Sequence, residues 1–142
     1  LASLRTNSAV APLLAARTRY ERPACVEWPF TTDARHPASR YALLQVFPES
    51  GRRHQIRRHM KHVAHPLIGD ATHGKGAHNR AVAAWLQVQR LWLHALSLEL
   101  VHPATGTTLR FAAMPDAAWH TLLAHGPWQW DAPPPAWTGA AG

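Results

Sequence analysis

The stretch Glu49-Ser50-Gly51-Arg52-Arg53-His54-Gln55-Ile56-Arg57-Arg58-His59-Met60-Lys61-His62 decides how the rest of the chain is read. It follows Tyr41 to Phe47 (Y-A-L-L-Q-V-F), a β-rich and largely apolar run that predicts a buried strand ended by Pro48. Ser50-Gly51 supplies a turn, and a helix is expected from about Arg53 to Val63. Ile56, Met60 and Val63 fall at i, i+4 and i+7, so one helical face is apolar. Arg52, Arg53, Arg57, Arg58 and Lys61 occupy much of the remainder. A short helix with so many donors, fed by a strand through a glycine turn, is suited to meet something negative, and the phosphates of RNA are the leading candidate. A solvated basic face with no ligand is the bland alternative.

The bulk numbers agree with that direction without choosing a partner. At 142 residues and 46% hydrophobic, the chain suffices for one domain with a real core. Fifteen Lys and Arg against eight Asp and Glu give +7, which suits RNA, DNA or an acidic lipid surface alike. Ala and Pro are also frequent, so part of the excess of His (eleven) and Trp (seven) reflects composition bias. The single cysteine, Cys25, forms no internal disulfide framework and fits a reducing cytoplasm; between Ala24 and Val26 it reads as buried packing. No run approaches the length of a membrane span, and no charged-then-apolar leader stands at the start. The first residue is Leu1 rather than Met, so a piece of a longer chain is expected.

Outward from the basic helix, Leu1 to Ala16 is small and apolar, interrupted by Pro12, and reads as a linker at a cut end. Arg17 to Phe30 alternates irregularly and predicts a strand or strand pair, confined by Pro23 and Pro29 to an edge or its ends. Thr31 to Ser39 is a polar loop. His65-Pro66 closes the helical region, and a loop is expected from Gly69-Asp70 to about Asn79. Ala81 to Gln89 predicts a short helix. Leu93 to Val101 carries the cleanest strand pattern: Leu96, Leu98 and Leu100 alternate with Ser97 and Glu99, placing one face in a core. His102 to Gly106 makes a hairpin connection to a returning strand at Thr108 to Ala112. Pro115-Asp116 opens a last helix, with Trp119, Leu122 and Leu123 inward. Trp85, Trp92 and Trp119 read as core. Residues 129–142, with three consecutive prolines and a glycine-rich end, read as a disordered tail in which Trp130 and Trp137 do nothing specific. Residues 1–128 then form one domain, with 1–16 as its linker-like end. The fold class is α+β, a mainly antiparallel mixed sheet with flanking helices.

Four blocks occur in a telling order: G-R-R-H-Q-I-R-R-H at 51–59, H-P-L-I-G-D-A-T-H-G at 65–74, L-W-L-H-A at 91–95 and H-P-A-T-G at 102–106. They resemble the C-terminal half of an RluA-type pseudouridine synthase, with its G-R-x-H-Q-[IL]-R, H-P-[IL]-x-G-D, L-H-A and H-P-x-x-G signatures. The resemblance covers roughly Arg40 to Trp128. His73 stands where the family usually has Tyr in G-D-x-x-Y-G. With the doubled arginine and Asn79-Arg80, that leans toward the family's tRNA-specific C group.

The resemblance implies an isomerase that breaks the bond between ribose C1′ and uracil N1, rotates the base and rejoins it through C5. It implies no metal or organic cofactor, an RNA partner (tRNA in particular), no membrane, and a monomer in full-length form. It gives Arg57 a catalytic role, as the arginine that keeps the family's aspartate ionised and aimed; a guanidinium can fork onto a carboxylate or a phosphate, which a lysine cannot. The family's aspartate belongs to an H-R-L-D block that this chain does not contain, and its active-site tyrosine also lies in a missing upstream motif. Asp33, Asp70, Asp116 and Asp131 are the aspartates present, and Asp70 reads as a loop cap. The chain is therefore expected to be inactive alone, to expose apolar surface and to aggregate.

Arg52, Arg53, Arg58 and Lys61 suit phosphate clamping around a flipped uridine. His54 and Gln55 either contact RNA or cap the turn. His59, His62 and His65 have ligand-like spacing, but Pro66 draws His65 off the helix axis and no Cys or carboxylate pair completes a metal site. His94 reads as a satisfied structural histidine. The rival classes are a non-catalytic RNA-binding module and a DNA-binding domain, the latter without a recognition-helix motif.

Overall fold

One long strand is the spine on which the helices are placed. The computed structural model describes residues 6–11, as backbone, and residues 16–139. Strand β1 (Thr6–Ala11) leads to β2 (Ala16–Trp28), in which Ala16, Thr18, Tyr20, Arg22, Ala24, Val26 and Trp28 are all buried. The residues between them are half-buried or exposed, the period of a pleated strand with one covered face. Thr18 and Arg22 take inward positions, which is why residue type alone makes the alternation look irregular.

Strand β3 (Ser39–Pro48) pairs antiparallel with β2 from Thr18↔Pro48 to Trp28↔Ser39. On the opposite side of β2, β1 pairs with Ala16 to Glu21. Helices α1 (Gln55–His62) and α2 (Gly76–Leu86) follow, then a two-stranded sheet of β4 (Ser97–Val101) and β5 (Thr108–Ala112). Helix α3 (Ala117–Ala124) comes next, with Asp116 as N-cap accepting from Trp119 N. Strand β6 (Trp128–Trp130) pairs with Ala24 to Val26, end to end with β1. Every pairing among the described residues is antiparallel. The α+β class with mainly antiparallel sheets is thus what the chain adopts.

The covered face of β2 carries two clusters. Tyr20 and Met60 form one, with Leu44, Val46, Ile56, Val63 and Leu67 against them, so the apolar face of α1 is bolted to the middle of the strand. Met60 is fully buried, and truncating such a side chain costs about 2–5 kcal/mol. The other cluster joins Val26 and Trp28 to α2, α3 and Trp92.

Several expectations are corrected. The segment from Arg17 is a central strand, not an edge: Pro23 sits at the register shift between Glu21 and Ala24, in the gap between the β1 and β6 pairings, where its missing N–H breaks no ladder. Six residues of the expected linker form β1; residues 1–5 and 12–15 lie outside the described ones. The expected tail beginning at 129 is largely ordered. Gln129 and Trp130 belong to β6, Asp131 neutralises the inward Arg22 at 3.0 Å, and Ala136–Thr138 makes a 3-10 turn with Thr138 buried; residues 140–142 lie outside the described ones. Strand β3 is half-buried rather than buried, because among the described residues it has a pairing partner on one side alone. Helix α2 starts at Gly76, inside the expected loop, and Trp85 is 37% exposed although its ring meets Phe30 at 5.6 Å. Cys25 is half-buried on the outer side of β2, 4.0 Å from Gln129 Oε1. The largest departure is at β4: its strand forms, but its leucine face is in no core, and Leu98 remains 57% exposed.

Candidate functional site

Helix α1 begins two residues later than its charge pattern suggests, because His54 adopts a left-handed conformation (φ 54°) and the helix opens at Gln55. Gln55 turns inward. Its Nε2 donates to Arg17 O at 2.9 Å and Thr18 Oγ1 at 3.0 Å, and its Oε1 accepts from Ser50 Oγ at 2.8 Å and Arg52 N at 3.0 Å. The side chain thereby locks the turn and the helix start onto β2. One turn later His59 is buried, with Nδ1 2.7 Å from Thr18 Oγ1, and burial, then His62 and Arg58, push its pKa down. With Met60 fully buried beside it, these contacts fix the rotation of the helix.

That rotation sends the cations out. Arg52, Arg53, Arg58 and Lys61 are exposed and form no ion pair among the described residues. Lys61 falls in the last turn, where positive charge suits the helix dipole.

Arg57 alone of the helix cations is tied down. Its Nε donates to Asp70 Oδ2 at 2.8 Å and its Nη2 to Asp70 Oδ1 at 2.8 Å, a two-pronged pair with the Asp70 side chain wholly buried and Arg57 19% exposed. Oδ1 also accepts from Thr72 N at 3.0 Å and His73 N at 2.8 Å. The Arg57 guanidinium, foremost, and these two N–H groups hold the Asp70 carboxyl far below the usual carboxylate range against the opposing effect of burial; Asp70 in turn raises the pKa of Arg57.

The loop under this pair is stitched by its own backbone. Asp70 O accepts from Gly74 N at 2.9 Å and Asn79 Nδ2 at 3.0 Å, and Asn79 Oδ1 accepts from Gly69 N at 2.8 Å. Gly69 has φ +82°, and a Cβ there would sit 1.7 Å from Arg90 O, so no other residue fits without moving the backbone. His73 is delivered back to α1, with Nε2 3.4 Å from His54 Nδ1. Burial, followed by the Arg57 and Arg53 charges, lowers the His54 pKa. What results is a fixed guanidinium, a histidine pair and four cations without ion pairs among the described residues, on and around one short helix: a positively charged surface with a fixed hydrogen-bond donor in it.

Comparison with known proteins gives this surface a context. No protein-family model matches the chain. Curated relatives do: 44% identity over 114 residues with a protein of Vibrio cholerae (80% of this chain, 46% of the relative), 45% over 116 residues with one of Yersinia pestis (82% and 45%), and 41% over 124 residues with one of Pectobacterium carotovorum (87% and 32%). All three bear one name. The chain is similar to tRNA pseudouridine synthase C. It spans about half the length, or less, of the curated relatives it matches.

Against the tRNA pseudouridine synthase C resemblance, each expected site residue has a definite place. Arg52, Arg53, Arg58 and Lys61 lie on the exposed side of the turn and α1. Gln55 is a correction: it is 6% exposed with its amide fully engaged inside the protein, so it belongs to the capping alternative and not to an RNA-facing surface. His54 makes no side-chain cap and instead faces His73. Arg57, expected to serve an aspartate outside the chain, already holds Asp70. Asp70 does cap its loop, as read from the sequence, and its second task is one that sequence reasoning misses; the thirteen-residue separation between the two blocks is the available signal, but spacing does not reveal that the helix and the loop meet. His94 is satisfied, through Nε2 and Ala113 O at 2.7 Å. Among the described residues no three His, Cys, Asp or Glu side chains group as metal ligands, and no helix is long and apolar enough to cross a membrane.

Proposed function

We propose that this chain is the RNA-gripping part of a tRNA pseudouridine synthase, in which Arg57 orients the aspartate supplied by the rest of the enzyme, and that it does not isomerise uridine alone. The observation that carries the reading is the Arg57–Asp70 pair standing among cations without counter-ions among the described residues, in a chain 41–45% identical to proteins named tRNA pseudouridine synthase C. Asp70 takes Nε and Nη2, which leaves Nη1 of Arg57 to meet a second carboxylate or a phosphate. The turn and helix cations supply sequence-independent attraction to the RNA backbone, which positions the substrate while a flipped base is read elsewhere.

Inactivity alone is supported by the fate of the aspartates. Asp33 accepts from Arg35 N, His36 N and His36 Nδ1; Asp116 caps α3 and pairs with Arg90; Asp131 pairs with Arg22; Asp70 is buried under Arg57. Asp70, the one aspartate that Arg57 holds, has no exposed side-chain surface with which to reach a ribose, and Asp33, Asp116 and Asp131 each serve a partner other than Arg57. The same observation favours the second reading, an RNA-binding module without catalysis.

The deciding experiment is tritium release from C5-labelled uridine in unmodified tRNA, with tRNA binding measured on the same sample. The chain alone is expected to bind and release nothing. A fusion restoring the part of the Yersinia pestis relative that the chain does not match is expected to release tritium, and Arg57→Ala in that fusion to abolish release with binding largely kept. Release by the chain alone overturns the reading and makes Asp70 the first residue to mutate. A binding-competent fusion without release supports the binding module, and equal loss of release and binding in Arg57→Ala reduces Arg57 to a phosphate contact.

A further inference from the structure

The β4–β5 hairpin is amphipathic by register and bare on the wrong side. Leu98 lies opposite Phe111, and Leu100 opposite Leu109, so four large apolar residues share one face of the two-stranded sheet. Glu99 lies opposite Arg110 on the other face, and the two pair at 2.6 Å. A strand pattern of this kind signals a covered face, yet Leu98 is 57%, Leu100 38% and Phe111 55% exposed, with Met114 just beyond β5 at 62%. Neither strand joins the larger sheet, and a lone two-stranded hairpin is marginal in water. Solitary exposed apolar residues are ordinary; a contiguous apolar sheet face is the mark of a missing neighbour.

We propose that this face is the docking surface for the part of the synthase fold that the relatives possess and this chain lacks, and that the two parts associate even when they are separate polypeptides. The proposal rests on the reading of the chain as part of a larger synthase. What favours this occupant over another is length. The matches cover 80–82% of this chain but only 45–46% of the Vibrio cholerae and Yersinia pestis relatives, so each relative holds more than its own matched length again in residues able to cover the face. Sequence supplies the second argument, since the hairpin's own H-P-A-T-G block belongs to the resemblance and its apolar side therefore arises in the setting of the whole fold. The polar Glu99–Arg110 side remains outward, so covering the leucine face leaves no charge buried without a partner.

The test mixes this chain with the separately produced, unmatched part of the Yersinia pestis relative and follows association by size-exclusion chromatography with light scattering. A one-to-one complex is expected. Leu98→Lys with Phe111→Glu should weaken it at least tenfold, and Val101→Lys, on the opposite face, should not. The same double variant should keep the chain's tRNA affinity, because its positions are remote in sequence from α1; that readout separates failure of docking from failure of the RNA-binding reading. Absence of any complex overturns the proposal, as does a complex indifferent to Leu98→Lys with Phe111→Glu. Self-association of the chain that the double variant abolishes, with no binding of the unmatched part, assigns the face to a second copy instead.

Discussion

Asp70 holds Arg57 through two parallel hydrogen bonds of 2.8 Å, and two backbone N–H groups of its own loop hold Asp70. The carboxylate therefore has four donors and no contact with solvent, while the guanidinium keeps a small exposed edge. This relationship ties α1 to the 69–79 loop, so the orientation of Arg57 and the shape of the loop are one property.

Removing one partner of a buried, fully hydrogen-bonded pair leaves the other uncompensated, a loss of about 3–5 kcal/mol. Asp70→Asn is expected to destabilise the chain by that order in urea denaturation. Arg57→Lys, which retains the charge but not the fork, should cost less, and a double-mutant cycle should return a clear coupling between the two positions. Additive effects would show that the pair does not hold the loop.

Acid should act through the same carboxylate. Its folded-state pKa is depressed below the ordinary 3.8, chiefly by Arg57, so its contribution to stability is present in full above the unfolded-state pKa and is lost as pH falls through the folded one. The melting temperature is expected to hold from neutrality to about pH 5 and to decline below about pH 4. In Asp70→Asn much of that decline should vanish. A decline of the same size in the variant would hand the acid limb to Asp33 and Asp116, whose pKa values are also lowered.

The parts of the fold legible in the sequence are those where local pattern and burial coincide. The turn at Ser50-Gly51, the apolar face through Ile56 and Met60, the hairpin at 102–106 and the Asp116 cap all obey short-range rules, and the structure keeps them. The misreadings share one cause, a tertiary partner that no local rule contains. Pro23 looks like an edge marker because the gap between β1 and β6 is made by segments over a hundred residues apart. Residues 129–131 look like tail because the need for Asp131 arises at Arg22. Within the candidate site, residue types single out α1, but the inward turn of Gln55 and the meeting of Arg57 with Asp70 depend on how α1 is rotated against β2.

Gln55 supplies a test of that rotation. Gln55→Ala takes the side-chain acceptor from the Arg52 N–H and the Ser50 hydroxyl, while the Arg17 carbonyl keeps its bond from Glu49 N, and the expected loss is about 1–3 kcal/mol of stability. The salt dependence of tRNA binding by the folded variant should match that of the parent chain. Unchanged stability with weakened binding would return Gln55 to the RNA surface.

Arg53 and Lys61 should behave in the opposite way. Both are exposed and without ion pairs among the described residues, so reversing them to Glu is expected to leave the melting temperature within a few degrees. Binding to tRNA should weaken, and the slope of log K against log salt should fall by about 0.7–0.9 for each phosphate that the variant no longer neutralises. Titrations at several salt concentrations decide it. An unchanged slope would remove both residues from the interface.

His54 separates backbone strain from ring chemistry. A non-glycine residue at φ 54° carries a conformational cost that glycine does not, and here the surroundings impose it: Arg58 N bonds the His54 carbonyl at 2.8 Å while His73 meets the ring. His54→Gly relieves that cost and removes the ring contact together, so its stability should stay within about 1 kcal/mol of the parent chain. His54→Val, β-branched and forced to the same angles, should lose more than about 1 kcal/mol. With the glycine variant folded, its tRNA affinity reports on the imidazole alone. An intact affinity would make the histidine pair part of the scaffold that holds Arg57 in place, whereas a loss with no change in melting temperature would put the pair in direct contact with RNA.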